Sequence, residues 1–284
     1  MRNTYWEYND VPVNQLAQGY RWINNQWVKQ PMLHDGAYGA MGGLITTLED
    51  FARYVAFHEN AYPSRPGDDN GVVKRSSVRE MHFPWNFNAL NTAFKYGDRP
   101  CPSVSAYAYG LRWEKDCDQR VALGHSGGLP GFGSNWRFLP EFGIGIICFA
   151  NLTYAPAGAI NITALDRVIS ESGLKARTLP ASPILEQRKQ QLAALLPDWK
   201  NAPATGIFAD NFFLDYFPDS LRKEATGIFA KAGKIQSVSA VEAENNLRGG
   251  FTLQGEKANI WVYFTLTPQN PALIQEYHIQ LVPR

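Results

Sequence analysis

Between residues 107 and 151, four apolar runs follow one another with only short turns between them, and that spacing dictates how they pair. The runs are Tyr109-Gly110-Leu111-Arg112-Trp113, Val121-Ala122-Leu123-Gly124-His125, Asn135-Trp136-Arg137-Phe138-Leu139 and residues 143–149, broken by Pro130-Gly131 and Pro140-Glu141-Phe142-Gly143. A parallel crossover needs a dozen or more residues, so strands this close in sequence lie antiparallel. Helical patterns flank them. Thr46 followed by Glu49 fits a capping box, Asp50 suits the helix dipole, and Leu48, Phe51, Tyr54 and Val55 recur on one face. Residues 156–172 read as a second helix with Ile160, Ala164, Val168 and Ile169 inward. Residues 59–70 read as a loop, and 84–105 as an irregular stretch.

A length of 284 residues suggests two domains at roughly 150 residues each. Pro180, Pro183, Pro197 and Pro203 bracket one amphipathic stretch carrying Leu185, Leu192, Leu195 and Leu196. The expected division is 1–178, a linker helix at 179–200, and 201–284. The last part reads as a helix pair, ended by Gly233, and then four strands near 234–242, 248–255, 258–267 and 272–282. It resembles cystatin-like and cone-shaped domains in its order of elements. Leu281-Val282-Pro283-Arg284 reads equally as the end of a strand and as the remnant of a thrombin-cut tag.

With 27 basic against 26 acidic residues, the chain has no basic excess for a phosphate backbone, and nucleic acid is not an expected partner. No apolar run reaches transmembrane length. The amino end has no signal-peptide core, and its abrupt opening suggests a chain that starts partway through a longer one. The three cysteines form no Cys-x-x-Cys and the five histidines are scattered, so neither a metal nor a cofactor is expected. Cys148 reads as a buried thiol, and pairing of Cys101 with Cys117 in an oxidising compartment is left open.

The densest chemical signal is Gly124-His125-Ser126-Gly127-Gly128-Leu129-Pro130-Gly131-Phe132, five of nine residues being glycine or proline. Glycines in a strand mark close approach of a ligand or another backbone, and a histidine there moves protons near neutral pH. Composition alone reads this first as a strand end and turn with an incidental histidine.

The segment resembles the third motif of the serine β-lactamase and penicillin-binding-protein superfamily, in particular the class C β-lactamase-related branch, where His-x-Gly often replaces Lys-Thr-Gly. Other phrases follow in family order. Met1-Arg2-Asn3-Thr4 resembles Gly-Met-x-x-Thr, and Leu16-Ala17-Gln18-Gly19-Tyr20 resembles Ala-x-Gly-Tyr. Residues 42–53 resemble Gly-Gly-Leu-x-Ser-Thr-x-Glu-Asp-Leu-Ala-Arg, and Tyr109-Gly110-Leu111-x-Trp113 and Pro140-Glu141-x-Gly143-x-Gly145 complete the set. The resemblance covers residues 1 to about 172. It implies an α+β class overall: part of a β-lactamase-like antiparallel sheet with packed helices, followed by the small α+β domain.

The family's chemistry is acyl transfer through the serine of Ser-x-x-Lys, assisted by the tyrosine of Tyr-x-Asn or Tyr-x-Ser. By resemblance, Gly128 supplies an oxyanion-hole N–H, His125 occupies the catalytic third-motif position, and Ser126, Gly127 and Asn151 contact substrate. Two Ser-x-x-Lys matches, at Ser172–Lys175 and Ser220–Lys223, follow His125 in reversed order, and Tyr62-Pro63-Ser64 sits in a loop; all three read as accidental. The expectation is half an active site, with no nucleophile in this chain. His125 in place of lysine, and a weak match after Asn151, favour an ester, amide, D-amino-acid or peptidoglycan-like small-molecule substrate over an anionic antibiotic. The family implies a periplasmic or secreted parent. The rival expectation is a binding or regulatory module on the same scaffold without chemistry.

Overall fold

The computed structural model describes residues 1–34, 36–65, 69 and 71–284; residues 66–68 and 70 of the loop expected at 59–70 lie outside the described residues. The chain divides into two compact units, Met1–Arg177 and Thr178–Arg284.

In the first unit, a hairpin of β1 (Tyr20–Ile23) and β2 (Gln26–Lys29) precedes α1 (Gly39–Gly42), α2 (Leu48–Glu59) and α3 (Arg75–Met81). Then come β3 (Asn86–Asn91), β4 (Lys95–Tyr96), β5 (Arg99–Pro100), β6 (Ser103–Tyr107), β7 (Arg112–Lys115), β8 (Val121–Leu129), β9 (Phe132–Leu139), β10 (Ile144–Ala150) and α4 (Ala157–Ser172). Six of these strands form one antiparallel sheet in the order β10-β9-β8-β7-β6-β3. The antiparallel expectation holds, but the stretch expected to be irregular contributes β3 and most of β6. Its residues Asn86 to Asn91 are all exposed, so no buried face marks the strand.

Period-two alternation sends neighbouring residues of β9 to opposite faces of the sheet. Trp136 and Phe138 meet Phe51 and His58 of α2 on one face. Asn135, on the other, accepts from Asn161 Nδ2 of α4 at 2.9 Å through both its carbonyl and its side-chain oxygen. The inward row of α4 is Ala157, Asn161 and Leu165, while Ile160 and Val168 are about half exposed. The expected apolar face is thus displaced one residue, about 100° round the helix, because anchoring Asn161 on the sheet decides the rotation.

The α2 cap also shifts by one residue. Thr47, not Thr46, is the N-cap, and its hydroxyl accepts the Asp50 N–H at 3.3 Å. Thr46 instead pairs with Thr4 Oγ1 at 2.9 Å, and Asp50, buried, accepts from Asn3 N–H at 2.6 Å. Replacing Thr47 by alanine should cost about 1 kcal/mol in a denaturant melt of the first unit, the usual worth of a threonine cap.

The second unit contains α5 (Pro183–Leu195), α6 (Phe212–Asp215) and α7 (Pro218–Ala232). It then forms β11 (Ile235–Val238), β12 (Glu242–Asn245), β13 (Arg248–Gly255), β14 (Asn259–Leu266) and β15 (Ile274–Val282). The sheet order is β11-β13-β14-β15, with β12 also on β13. The expected four strands become five because the first breaks after Val238, where the pairing to β13 shifts register. Trp199, Phe212, Phe251 and Phe264 fill the core, and α5, in the stretch expected to be a linker, adds Leu185 and Leu192, both fully buried. Gly233 (φ 76°) caps α7, and Leu281 lies in β15 opposite Ile260.

Candidate active site

Strand β8 has two halves with different surroundings. Its first half, Val121 to Gly124, is flanked on both sides: the β7 ladder runs over these four residues, and β9 pairs from Leu123 onward. Its second half, His125 to Leu129, pairs with β9 alone, and exposure rises from buried Gly124 to exposed residues 126–129. The side once next to β7 is therefore an open backbone edge.

The direction of each backbone group follows from the turn. Residues 130 and 131 form a two-residue connection, Pro130 in a position that fits its fixed φ and Gly131 at φ 91°. A hairpin closed this tightly makes Leu129 and Phe132 a hydrogen-bonded pair, and alternation then turns the N–H and C=O of Gly128, Ser126 and Gly124 away from β9. An independent contact agrees, since the Ser126 carbonyl accepts from His125 Nδ1 at 2.6 Å. A carbonyl oxygen only accepts, so Nδ1 carries the hydrogen, and Nε2, 3.0 Å from the Tyr107 hydroxyl, accepts its O–H whenever that nitrogen carries no proton. The His125 and Tyr107 rings meet edge to face, with centroids 5.9 Å apart.

Two close approaches explain glycines of this segment. A side chain at Gly128 would run into the ring of Tyr154, whose backbone N–H reaches Phe132 O at 3.1 Å. Gly131 and Gly19 lie back to back, each leaving no room for a Cβ on the other. Gln18 and Gly19 in turn bind Gln30, so the exposed Trp22 and Trp27 of the β1–β2 hairpin rise from the far end of β8. His125, Ser126, Gly127 and Gly128 thus share one open edge. Asn151 stands apart from it: its Nδ2 holds Gln18 O at 3.0 Å and its own carbonyl accepts from Tyr20 N–H. It follows β10, two strand spacings or roughly 10 Å across the sheet from β8. Tyr107 and Tyr154 are the site residues that sequence reasoning missed. Tyr154 carries no pattern signal, whereas Tyr107 does open the sheet-like pattern.

A serine and a lysine three residues apart share one face only where both lie within a helix. Ser172 is the last residue of α4, and Gly173 (φ 65°) ends the helix before Lys175. Ser220 and Lys223 do share α7, but in the second unit. Tyr62 is partly buried against the core, and its hydroxyl contacts His82 Nδ1 at 2.9 Å. His82 Nε2 lies 2.8 Å from His58 Nδ1, both rings being buried. Burial holds His58 down to about 4, and burial together with the His58 charge holds His82 down to about 3, so both are neutral at physiological pH.

A hollow of about 20 Å³ lies beside His125, room for one water. A larger cavity, about 100 Å³, lies on the α4 side and is lined by Tyr96, Glu114, Asp116, Arg120, Arg137 and Asp166. Next to it, Cys101 and Cys117 form a disulfide with their Cα atoms 5.0 Å apart. Among the described residues these cysteines and Asp118 are the group with metal-ligand spacing, and the disulfide takes both sulfurs. Cys148 is a free thiol, partly rather than fully buried.

A model of the Beta-lactamase family matches residues 1–169, which includes β8, all of α2 and most of α4. The chain belongs to the Beta-lactamase family. Unguisins hydrolase ungD' from Aspergillus campestris (strain IBT 28561) is 24% identical over 160 residues, 55% of this chain. The chain spans only 27% of the length of that curated relative. Among solved structures, the octameric penicillin-binding protein homologue from Pyrococcus abyssi aligns with 98% of this chain and 56% of its own, at TM-score 0.46 and 15% identity. The penicillin binding protein from Bacillus halodurans aligns with 58% of this chain and 44% of its own, at TM-score 0.40 and 14% identity. No helix among the described residues is long and apolar enough to cross a membrane.

Proposed function

We propose that this Beta-lactamase family chain forms one wall of a serine hydrolase site that works through an acyl-serine, with the nucleophile supplied by a segment outside residues 1–284. The observation that carries this reading is the open edge of β8, along which His125 is followed three residues later by the outward N–H of Gly128. An N–H held on a rigid strand and aimed away from its ladder suits a carbonyl oxygen as it gains charge, the role of an oxyanion hole. His125 handles the proton, and Ser126 and Gly127 contact the substrate. The substrate class is an ester, an amide or a D-amino-acid peptide; a relative named as an unguisins hydrolase supports hydrolysis as the chemistry. The Cys101–Cys117 disulfide supports a periplasmic or secreted setting.

Intact-mass measurement with a fluorophosphonate probe tests the reading. This chain should show no adduct, while a protein that includes an upstream Ser-x-x-Lys segment should be labelled stoichiometrically at that serine. In that longer protein His125→Ala should lower kcat/KM about 100-fold, the lower end of what a positioned acid or base contributes. Labelling of Ser172 or Ser220, or full activity of the alanine variant, would overturn it.

A further inference from the structure

We infer that Tyr107 is a positioning residue for His125, an assignment that rests on the catalytic reading of His125 above. Strand β7 ends at Arg112, so the side chain of Tyr107, at the end of the next strand β6, reaches past it to the unpaired part of β8. Two contacts then define the ring. Nδ1–H is given to the Ser126 carbonyl at 2.6 Å, which selects the tautomer, and Nε2 receives the Tyr107 O–H at 3.0 Å, which selects the ring's direction. Neither contact alone suffices: with Nδ1 anchored, the ring still swings about that bond, and the phenol removes this freedom.

The pairing also decides where a proton goes. When His125 takes a proton it enters at Nε2, the one unprotonated nitrogen, and the Tyr107 hydroxyl turns from donor to acceptor by rotating its O–H. The phenol therefore stays hydrogen-bonded in both protonation states without moving a heavy atom. Tyr107 is partly exposed and His125 half-buried, so this rotation needs no rearrangement of the core.

Two measurements test this, both with Tyr107→Phe, which keeps the ring and removes one accessible hydroxyl. The first uses this chain, labelled with 15N-histidine, and reads the ring nitrogens by long-range 1H–15N correlation, with His125→Ala assigning the signals. Wild type should show Nδ1 protonated and Nε2 as an acceptor. In Tyr107→Phe the Nε2 signal should move toward that of a free acceptor nitrogen, while Tyr109→Phe, altering an exposed neighbour, leaves it in place. The second uses the longer protein. Losing one hydrogen bond that orients a reacting group, about 1.4 kcal/mol, should lower kcat about tenfold with KM within twofold. An unmoved Nε2 signal, or Nε2 protonated in place of Nδ1, overturns the assignment whatever the enzyme does. A shifted Nε2 with unchanged kcat, while His125→Ala is impaired, overturns the positioning role and leaves the catalytic reading standing. Undiminished activity of His125→Ala overturns that reading itself.

Discussion

Lowering the pH from 7 to 4 is expected to remove ~3 kcal/mol or more of stability from the unit Met1–Arg177, through His58 with a further loss through His82. The two rings sit among Tyr54, Trp136 and Phe138, where a positive charge has little to solvate it. In the folded unit both are therefore neutral down to about 4 and about 3, whereas in the unfolded chain each takes up a proton below 6.5. Between 6.5 and 4 the unfolded state binds more protons than the folded one, so stability is fully present above 6.5 and falls as the pH drops through this window. Geometry sharpens the effect, because His58 Nδ1 and His82 Nε2, 2.8 Å apart, have room for one hydrogen between them. Two imidazolium rings would set N–H against N–H. Hydrogen exchange read separately in β8–β9 and in β13–β14 checks this unit by unit. Protection of β8–β9 that stays constant from pH 6.5 to 4 would refute it.

Much of the sheet was legible because its evidence is local. The apolar runs at 121–125 and 135–139 are strand-length, and the short Pro130-Gly131 turn between them leaves no room for a crossover, so antiparallel pairing follows from sequence. The phrases that resemble the family turn out to be joints between distant segments. Thr4 meets Thr46, Gly19 meets Gly131, and Asn151 holds Gln18. That explains why order of phrases was informative while Asn151's own task was not readable: a carboxamide that pins a backbone carbonyl looks the same in sequence as one that faces a substrate. What escaped was non-local. Strand β3 buries no face and exists because β6 offers it an edge, and the rotation of α4 is chosen by one buried Asn135–Asn161 contact. The open edge of β8 depends on where β7 stops, which no pattern within β8 itself reports.

Arg120 provides the second large effect, and its sign separates a buried ion pair from ordinary packing. Its guanidinium binds Asp116 at 2.7 Å, Asp118 at 3.0 Å and Asp166 of α4 at 3.0 Å, and lies over the Tyr96 ring at 4.6 Å. Asp116 is itself buried and also accepts the Arg120 and Asp118 backbone N–H groups and the Tyr96 hydroxyl. Arg120→Met keeps much of the side-chain volume but leaves the buried Asp116 without its cation, while Arg99 still pairs with Asp118 and Asp166, and should cost about 3–5 kcal/mol in a denaturant melt at neutral pH. Adding Asp116→Asn should then restore part of the loss, although it is a second change to the same buried site. The reason is that the stranded charge, not the missing contact, dominates the first penalty, and neutralising it relieves that penalty. If the guanidinium acted mainly as packing between the 116–120 turn and α4, the double variant would be no more stable than Arg120→Met alone. A recovery would place the cluster among charges kept for the order they impose: Arg120, together with Arg99, ties the disulfide-bonded turn to the helix that covers the sheet behind β8.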